Sequence, residues 1–336
     1  MKKNIFPKIS IIVDTFNHEN FINKAVDSAL SQELDISKFE IIVINDGSSD
    51  QTLKNLESYG DRVHVLSKKN EGQGSAFNLG LREARGEFVA FLDGDDWWHP
   101  NKLQKVLNVL ESDSRIGFVG HGIVETDGEK DLRVLAPSSL VRFRLDSRDG
   151  ARALISHRAF MGTSRMAGRT RLFRELLPVP EALTIEADEY FFTLLPALVD
   201  AVILPEALCY YRLHPGNLYQ FHGKDPQRQK RKVMAHECLA TSIPAKLDEF
   251  DVPLEAKELI IESVRMEAHR LRIMVGGGPP GSAYSAERWA FRERQATGER
   301  IGILFRGVVL AMAACLPAKW FYRLRELWGR IAGQAS

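Results

Sequence analysis

The sequence of 336 residues predicts an α/β fold with a mostly parallel sheet flanked by helices, followed by a helical C-terminal appendage. Two observations predict the sheet. Short apolar runs alternate with amphipathic segments up to residue 112, and most of the runs are nearly continuous in β-branched and aliphatic residues. A linker rich in glycine and proline at 276–282 sets off the last apolar segment. Alternation at this spacing indicates a parallel sheet, whose ligands bind beyond the carboxyl ends of the strands.

Each element follows from its local pattern. The apolar runs predict strands at 9–13, 40–44, 63–66 and 88–92, and the amphipathic segments predict helices at 19–31, 50–58, 74–84 and 100–112. The pattern from 115 to 220 is mixed, with a helix near 186–199 and a strand at 201–204. A long amphipathic helix is predicted at 253–274.

Composition limits the classes of partner and compartment. Lys and Arg total 45 against 44 Asp and Glu, so nothing indicates a nucleic-acid partner. The cysteines Cys209, Cys238 and Cys315 are scattered and odd in number, which favours a reducing, cytoplasmic location. No apolar run reaches the roughly 20 residues that a membrane-spanning helix requires.

The residues that follow the predicted strands are acidic where nucleotide-binding loops are often glycine-rich. Neither a dinucleotide fingerprint nor a phosphate-binding Walker loop follows the first strand, which argues against a nicotinamide dehydrogenase and an ATPase. Asp93, Asp95 and Asp96 are crowded carboxylates, which raise one another's pKa unless a cation compensates. They predict an Mg²⁺ or Mn²⁺ site completed by substrate phosphates. The alternative is that Asp96 caps a helix beginning near Pro100.

Four stretches in this order resemble the inverting family 2 glycosyltransferases, which have the Rossmann-like GT-A fold. The stretches are Ile9-Ser-Ile-Ile-Val-Asp-Thr-Phe-Asn17, Ile42-Val-Ile-Asn-Asp-Gly-Ser-Ser-Asp50, Asn70-Glu-Gly-Gln-Gly-Ser-Ala-Phe-Asn-Leu-Gly80 and Phe91-Leu-Asp-Gly-Asp-Asp96. The likeness extends to about residue 217. Three positions depart from the family pattern: Asp14 replaces a usual proline, Asn45 a usual aspartate and Phe77 a frequent arginine.

The resemblance implies a nucleotide-diphosphate sugar donor and a glycan or lipid-linked acceptor, as in bacterial surface polysaccharide synthesis. It implies the following donor-binding residues: Thr15, Asn17, Glu19 and Asp46 around the nucleoside with Phe16 alongside the base, and Gln73, Gly74, Asn78, Asp93, Gly94 and Arg212 near the diphosphate or sugar. It implies metal ligands at Asp93, Asp95 and His214. Free N–H groups at the start of the third helix are expected to face the diphosphate. As alternatives, Asn17 caps a helix, Phe16 is core, and the glycines at 72 and 74 turn the chain.

Inversion requires a base on the side of the sugar opposite the leaving diphosphate. The stretch Glu186-Ala-Asp-Glu-Tyr190 resembles the acidic pair that supplies this base in the family, and alignment on Pro205 selects Asp188. Glu186 and Glu189 are the reserve candidates. The alternative is that these acidic residues only stabilise a helix N-terminus through its dipole.

Two other functions are alternatives to sugar transfer. A sugar nucleotidyltransferase would need a glycine-rich, arginine-containing loop after the first strand, which the sequence lacks. A non-catalytic sugar-nucleotide-binding protein would not need the aspartates at 93, 95 and 188.

The predicted domain boundary separates a catalytic domain at 1–222 from a helical region at 223–336. The basic stretch 224–232 is expected to be a solvated linker. Within 301–330, ten apolar residues precede aromatic and basic residues, a pattern typical of a helix at the inner membrane surface. The aromatic and basic residues are Trp320, Tyr322, Arg323, Arg325, Trp328 and Arg330. Packing on the catalytic domain, or on a second copy in a homo-oligomer, remains an open alternative.

Overall fold

The computed structural model describes residues 6–214, 216–217, 225–296 and 302–333. The strands are β1 (Ile9–Thr15), β2 (Phe39–Asn45), β3 (His64–Ser67), β4 (Phe88–Asp93), β5 (Trp97–Trp98), β6 (Ile116–Thr126), β7 (Asp131–Leu135), β8 (Val141–Phe143), β9 (Ala167–Arg169) and β10 (Asp200–Arg212). The helices are α1 (Ile22–Leu30), α2 (Thr52–Glu57), α3 (Gln73–Glu83), α4 (Lys102–Ser112), α5 (Arg148–His157), α6 (Thr170–Glu175), α7 (Asp188–Leu198), α8 (Pro226–Leu247), α9 (Leu254–Gly276), α10 (Tyr284–Ala296), α11 (Ile303–Cys315) and α12 (Ala318–Gly333).

The central sheet confirms the predicted α/β class. Its strand order is β3-β2-β1-β4-β9-β6-β10-β5. Strands β1 to β4 are parallel to one another, and β6 is parallel to β10. The short β9 lies between β4 and β6 and is antiparallel to both. The carboxyl ends of β1, β2 and β4 therefore meet at one edge, as the sequence predicts.

Each central strand is apolar throughout because both faces of the sheet are covered. Ile11 and Val13 of β1 pack in the core on the side of α1 and α4, whereas Ile12 packs in the core on the side of α3 and α7. Successive side chains of a strand point to opposite faces, so a doubly covered strand carries few polar positions.

Helices α8 and α9 share the core of the sheet rather than standing apart from it. Leu239 of α8 and Leu259 of α9 belong to the same buried cluster as Phe191 of α7. The basic stretch expected to be a linker is instead, from Pro226 onward, the start of α8, and that prediction is wrong. The domain boundary at residue 222 stays a prediction.

The last three helices pack around a smaller apolar cluster, which includes Phe291 and Phe321. Tyr322 is buried, and Arg325 pairs with Glu287 of α10, so these two side chains face the protein instead of a membrane surface. The side chains of Trp328 and Arg330 lie outside the described residues. Among the residues that the structure describes, no helix is both long and apolar enough to cross a membrane.

Candidate active site

The ends of β1 and β4 place two carboxylates side by side. Asp14 and Asp93 are paired in register across these parallel strands, and both are partly buried. Burial raises the pKa of Asp14 to about 7, and the negative charge of Asp95 adds to the effect. Burial, followed by the charges of Asp14 and Asp95, raises the pKa of Asp93 well above its usual value. Like charges this close cannot both ionise readily without a compensating cation.

The donor set at this edge fits a hard divalent cation. Asp14 Oδ1 is buried and has no hydrogen-bond partner. Asp96 is also buried, and burial together with the charge of Asp95 raises its pKa to about 8. Carboxylate oxygens that are buried, crowded and incompletely paired are the ligands that Mg²⁺ and Mn²⁺ prefer. These residues therefore suit the predicted ion.

Asp95 differs from its neighbours because two histidines face it. His214 Nε2 lies 3.0 Å from Asp95 Oδ2, and His18 Nε2 lies 3.9 Å from the same oxygen. Burial would raise the pKa of Asp95, but the hydrogen bond from His214 and the charge of His18 lower it below its usual value. The structure thus brings together two of the predicted metal-site residues, Asp95 and His214, and adds His18, which the sequence analysis missed.

Arg212 stands behind this group. Its Nε donates to the Asp95 carbonyl at 2.9 Å, and its guanidinium lies over the rings of Phe21 and Trp97 at 4.8 and 4.6 Å. Its backbone N–H donates to Asp96 Oδ1 at 3.0 Å. Arg212 therefore holds the Asp93–Asp96 turn against the end of β10.

Asp188, the predicted base, lies in the first turn of α7 and is linked to the same group of carboxylates. Its Oδ2 accepts hydrogen bonds from Thr163 N at 2.9 Å and Thr163 Oγ1 at 3.2 Å. Gln73 Nε2 contacts both Thr163 Oγ1 at 3.2 Å and Asp93 Oδ1 at 3.3 Å, while Gln73 Oε1 accepts from Ala187 N at 2.9 Å. One glutamine side chain thus joins the Asp93 strand end to the helix start that carries Asp188.

Ser164 also connects distant parts of this site, and the sequence analysis missed it. Its Oγ accepts from Asp93 N at 3.1 Å and donates to Asp93 Oδ2 at 3.3 Å. Its carbonyl accepts from Trp98 Nε1 at 2.9 Å and from the buried Lys102 Nζ at 2.7 Å. No local motif marks Ser164, because all of these partners are distant in sequence.

The loops after β1 and β2 are joined by residues predicted to line the nucleoside pocket. Asn17 N donates to Ser48 Oγ, and Asn17 Oδ1 accepts from Ser49 N. Glu19 Oε2 accepts from Gln51 N at 2.9 Å. Asn17 does not cap α1, whose N-cap residue is Phe21, and Phe16 is 41% exposed and so is not core. Both alternatives raised from the sequence are therefore wrong.

Gly94 brings the aspartate turn into contact with the first loop. A Cβ at position 94 would lie 2.7 Å from both Thr15 Oγ1 and His18 Nδ1. Thr15 Oγ1 and His18 Nδ1 are themselves 3.2 Å apart. A side chain at position 94 would thus displace Thr15 or His18, which explains why glycine stands there.

The expectation of free N–H groups at the start of α3 is wrong. Gln73 N donates to the Thr184 carbonyl at 3.0 Å, and Gly74 N donates to the Leu183 carbonyl at 2.9 Å. Two more predicted donor-binding residues already have hydrogen-bond partners within the protein. Asn78 bonds to Val179 N and O, and Asp46 accepts from Lys68 Nζ, Glu71 N and Gly72 N. Donor contacts by these residues stay predictions.

The reserve candidates for the base, Glu186 and Glu189, lie close to His236 of α8. Glu186 Oε1 is 2.7 Å from Lys232 Nζ, and Glu186 Oε2 is 2.5 Å from His236 Nε2. The potential ligand atoms of Glu186, Glu189 and His236 lie within 4.8 Å of one another, and this is the one such trio among the described residues. Lys232 already supplies a positive charge to this trio, which reduces its need for a cation.

Comparison with known proteins gives consistent results. The family model for glycosyl transferase family 2 matches residues 10–177, half of the chain. An uncharacterized glycosyltransferase of Nostoc sp. is 30% identical over 236 residues, which are 68% of this chain and 71% of that protein. One from Rickettsia prowazekii is 40% identical over 129 residues, and the chain covers 40% of its length.

Two solved structures resemble the whole fold. The Staphylococcus aureus protein TarS (residues 1–349), in complex with UDP-GlcNAc, has a TM-score of 0.62 at 18% identity, covering 94% of this chain and 92% of that one. The mannosyltransferase PcManGT of Pyrobaculum calidifontis, in complex with GDP-Man and Mn²⁺, has a TM-score of 0.55 at 16% identity, covering 97% and 88% of the two chains. At these identities the likeness shows the fold.

Proposed function

The chain belongs to glycosyl transferase family 2, and on that premise we propose that it moves a sugar from a nucleotide diphosphate to an acceptor hydroxyl with inversion at the anomeric carbon. The observation that carries the proposal is the link from Asp93 through Gln73 and Thr163 to Asp188. This link holds the Asp188 carboxylate near the crowded carboxylates of Asp14, Asp93 and Asp95. A single displacement needs that separation of roles, because the base and the leaving group act on opposite sides of the sugar.

In this mechanism Asp188 accepts the proton of the attacking hydroxyl. Its Oδ2 is engaged by Thr163, whereas Oδ1 accepts from the backbone N–H of Glu189. Burial raises the pKa of Asp188 above its usual value, and the hydrogen bonds from Thr163 oppose this rise. A carboxylate with a raised pKa is a stronger base.

Asp93 and Asp95, supported by His214, would hold Mg²⁺ or Mn²⁺ on the donor side. Bound there, the ion neutralises negative charge on the departing diphosphate. Arg212 keeps the aspartate turn in place through Asp95 and Asp96. The Mn²⁺ in the PcManGT complex supports such a role on this fold.

The nucleoside would lie against the loops after β1 and β2. Phe16 offers an exposed ring there, Asn17 and Glu19 hold the two loops together, and Thr15 and Gly94 form the floor. UDP-GlcNAc in TarS and GDP-Man in PcManGT support a nucleotide-diphosphate sugar as donor.

We also propose that the enzyme works at the inner face of the plasma membrane on a glycan or lipid-linked acceptor. Phe305, Val308 and Trp320 of α11 and α12 are exposed at 53, 39 and 61%, with Lys319 and Arg323 exposed beside them. Residues 302–325 contain no Asp or Glu. An apolar face bordered by cations suits an anionic bilayer surface.

The test of the function is a panel of nucleotide sugars offered with Mn²⁺, with Mg²⁺ and with chelator. We expect one donor to raise the melting temperature in a cation-dependent manner, and the anomeric configuration of the transferred sugar, measured by NMR, to be inverted. Retention of configuration, or stabilisation by donor equally well in chelator, would contradict the proposal.

A further inference from the structure

The residue two positions before Asp188 has an unusual backbone. Glu186 has a φ of 56°, in the left-handed region that glycine and asparagine adopt more readily than glutamate. Such a conformation is strained and persists where surrounding contacts hold it. The chain makes this turn directly before α7 begins at Asp188. The position of the Asp188 side chain thus depends on the contacts that hold Glu186.

Two side chains of α8 hold it. Lys232 Nζ lies 2.7 Å from Glu186 Oε1, and His236 Nε2 lies 2.5 Å from Glu186 Oε2. Residues four apart on a helix share one face, so both groups approach Glu186 from the same side. Both are buried, with 8% of Lys232 and 4% of His236 exposed. Each oxygen of the Glu186 carboxylate thus has its own cationic partner.

Charges from neighbouring elements complete the group. Glu189 of α7 and Glu267 of α9 face His236, and Arg158, just after α5, interacts with both glutamates. Buried ion pairs contribute little net stability, but removing one partner leaves an uncompensated charge and disturbs the geometry. A balanced buried network of this kind is suited to fixing one arrangement of α7 against α8.

The three residues from Glu186 to Asp188 are therefore held from three sides. Glu186 is held by α8, Ala187 N donates to Gln73 of α3, and Asp188 accepts from Thr163. Gln73 and Thr163 lie within the region that matches the family model, whereas α8 lies outside that region. No catalytic role attaches to α8 in the proposed function.

We propose that Lys232 and His236 are positioning residues that set the placement of Asp188 by holding Glu186 in its left-handed conformation. This inference rests on the proposed role of Asp188 as base. It makes α8 a required part of the catalytic unit.

The test is Glu186→Gly, which keeps the left-handed backbone accessible while it removes both ion pairs. We expect turnover to fall roughly 10- to 100-fold, because misplacing a catalytic group by about 1 Å has an effect of that order. Donor affinity should stay within about twofold of wild type. Lys232→Met should lose turnover in the same way, Lys232→Arg should recover most of it, and Lys230→Met, on the exposed side of α8, should match wild type.

Three results separate the possible failures. Wild-type turnover in Glu186→Gly would overturn this inference alone. A parallel loss of donor affinity and turnover that is recovered on cooling would also overturn it, since it would indicate destabilisation instead of positioning. Absence of transfer by wild type with every donor, or normal transfer by Asp188→Asn, would refute the proposed function on which the inference rests.

Discussion

Replacing Asn78 by alanine distinguishes a structural role for this residue from donor binding. Asn78 is buried in α3, and its side chain donates to the Val179 carbonyl at 3.0 Å and accepts from Val179 N at 2.8 Å. The substitution leaves both backbone groups buried without partners, at about 1–3 kcal/mol each, and the better helix propensity of alanine returns about 0.5 kcal/mol. We expect the free energy of unfolding in urea to fall by about 1.5–5.5 kcal/mol.

Asn108→Ala is the matched control, because Asn108 is also an asparagine inside a helix, α4, but is exposed and bonded only to the exposed Gln104. It should change stability by no more than about 0.5 kcal/mol. Donor affinity, measured calorimetrically on folded protein, should be unchanged by Asn78→Ala. Normal stability combined with at least tenfold weaker donor binding would refute the structural reasoning and restore Asn78 as a donor ligand.

Three further predictions concern the metal, the α8 network and the last helices. Asp95→Asn should abolish the cation dependence of donor affinity and leave the fold intact, and equal calorimetric affinities of wild type with cation and with chelator would contradict this. Burial lowers the pKa of His236, but the charge of Glu189 and the hydrogen bond that His236 donates to Glu186 outweigh burial and raise the pKa above its usual value. The stabilisation that His236 provides is therefore present below about pH 6.5 and lost as pH rises through the raised value. His236→Gln should therefore lower the melting temperature more at pH 6 than at pH 9, and an equal loss at both would refute the linkage. The 336-residue chain should float with anionic liposomes at low salt and more weakly at high salt, and Trp320→Ser should float less at both. Equal flotation of a chain truncated at 300 would show that other residues bind the membrane.

The sheet could be predicted because its central strands obey a simple rule. Strands buried on both faces are continuous in apolar residues, and the predicted runs at 9–13, 40–44 and 88–92 match β1, β2 and β4 to within a few residues. The run at 63–66 matches the edge strand β3, which is partly exposed. Strand β9 could not be predicted, since three residues, Ala167–Arg169, are too few to show a period.

The aspartate site could also be predicted, because crowded carboxylates after a buried strand are visible in one short stretch. The hydrogen bonds that connect these aspartates to distant segments could not be predicted. Gln73 meets Thr163 across 90 positions, and Ser164 meets Asp93 across 71, so nothing local in either segment indicates the contact. The same holds for α8, where a run of basic residues has the composition of a solvated linker until the buried pairing of Lys232 with Glu186 is known.

The central claim is that Asp188 removes the acceptor proton while other residues bind the donor. The most direct measurement is the transfer rate of Asp188→Asn with donor and cation at saturating concentration, together with its donor affinity. Asparagine preserves the shape of the side chain and can keep the bond from Thr163, so folding and donor binding should be unaffected. The account predicts a rate lower by roughly two to four orders of magnitude with unchanged donor affinity. A rate near that of wild type would contradict it.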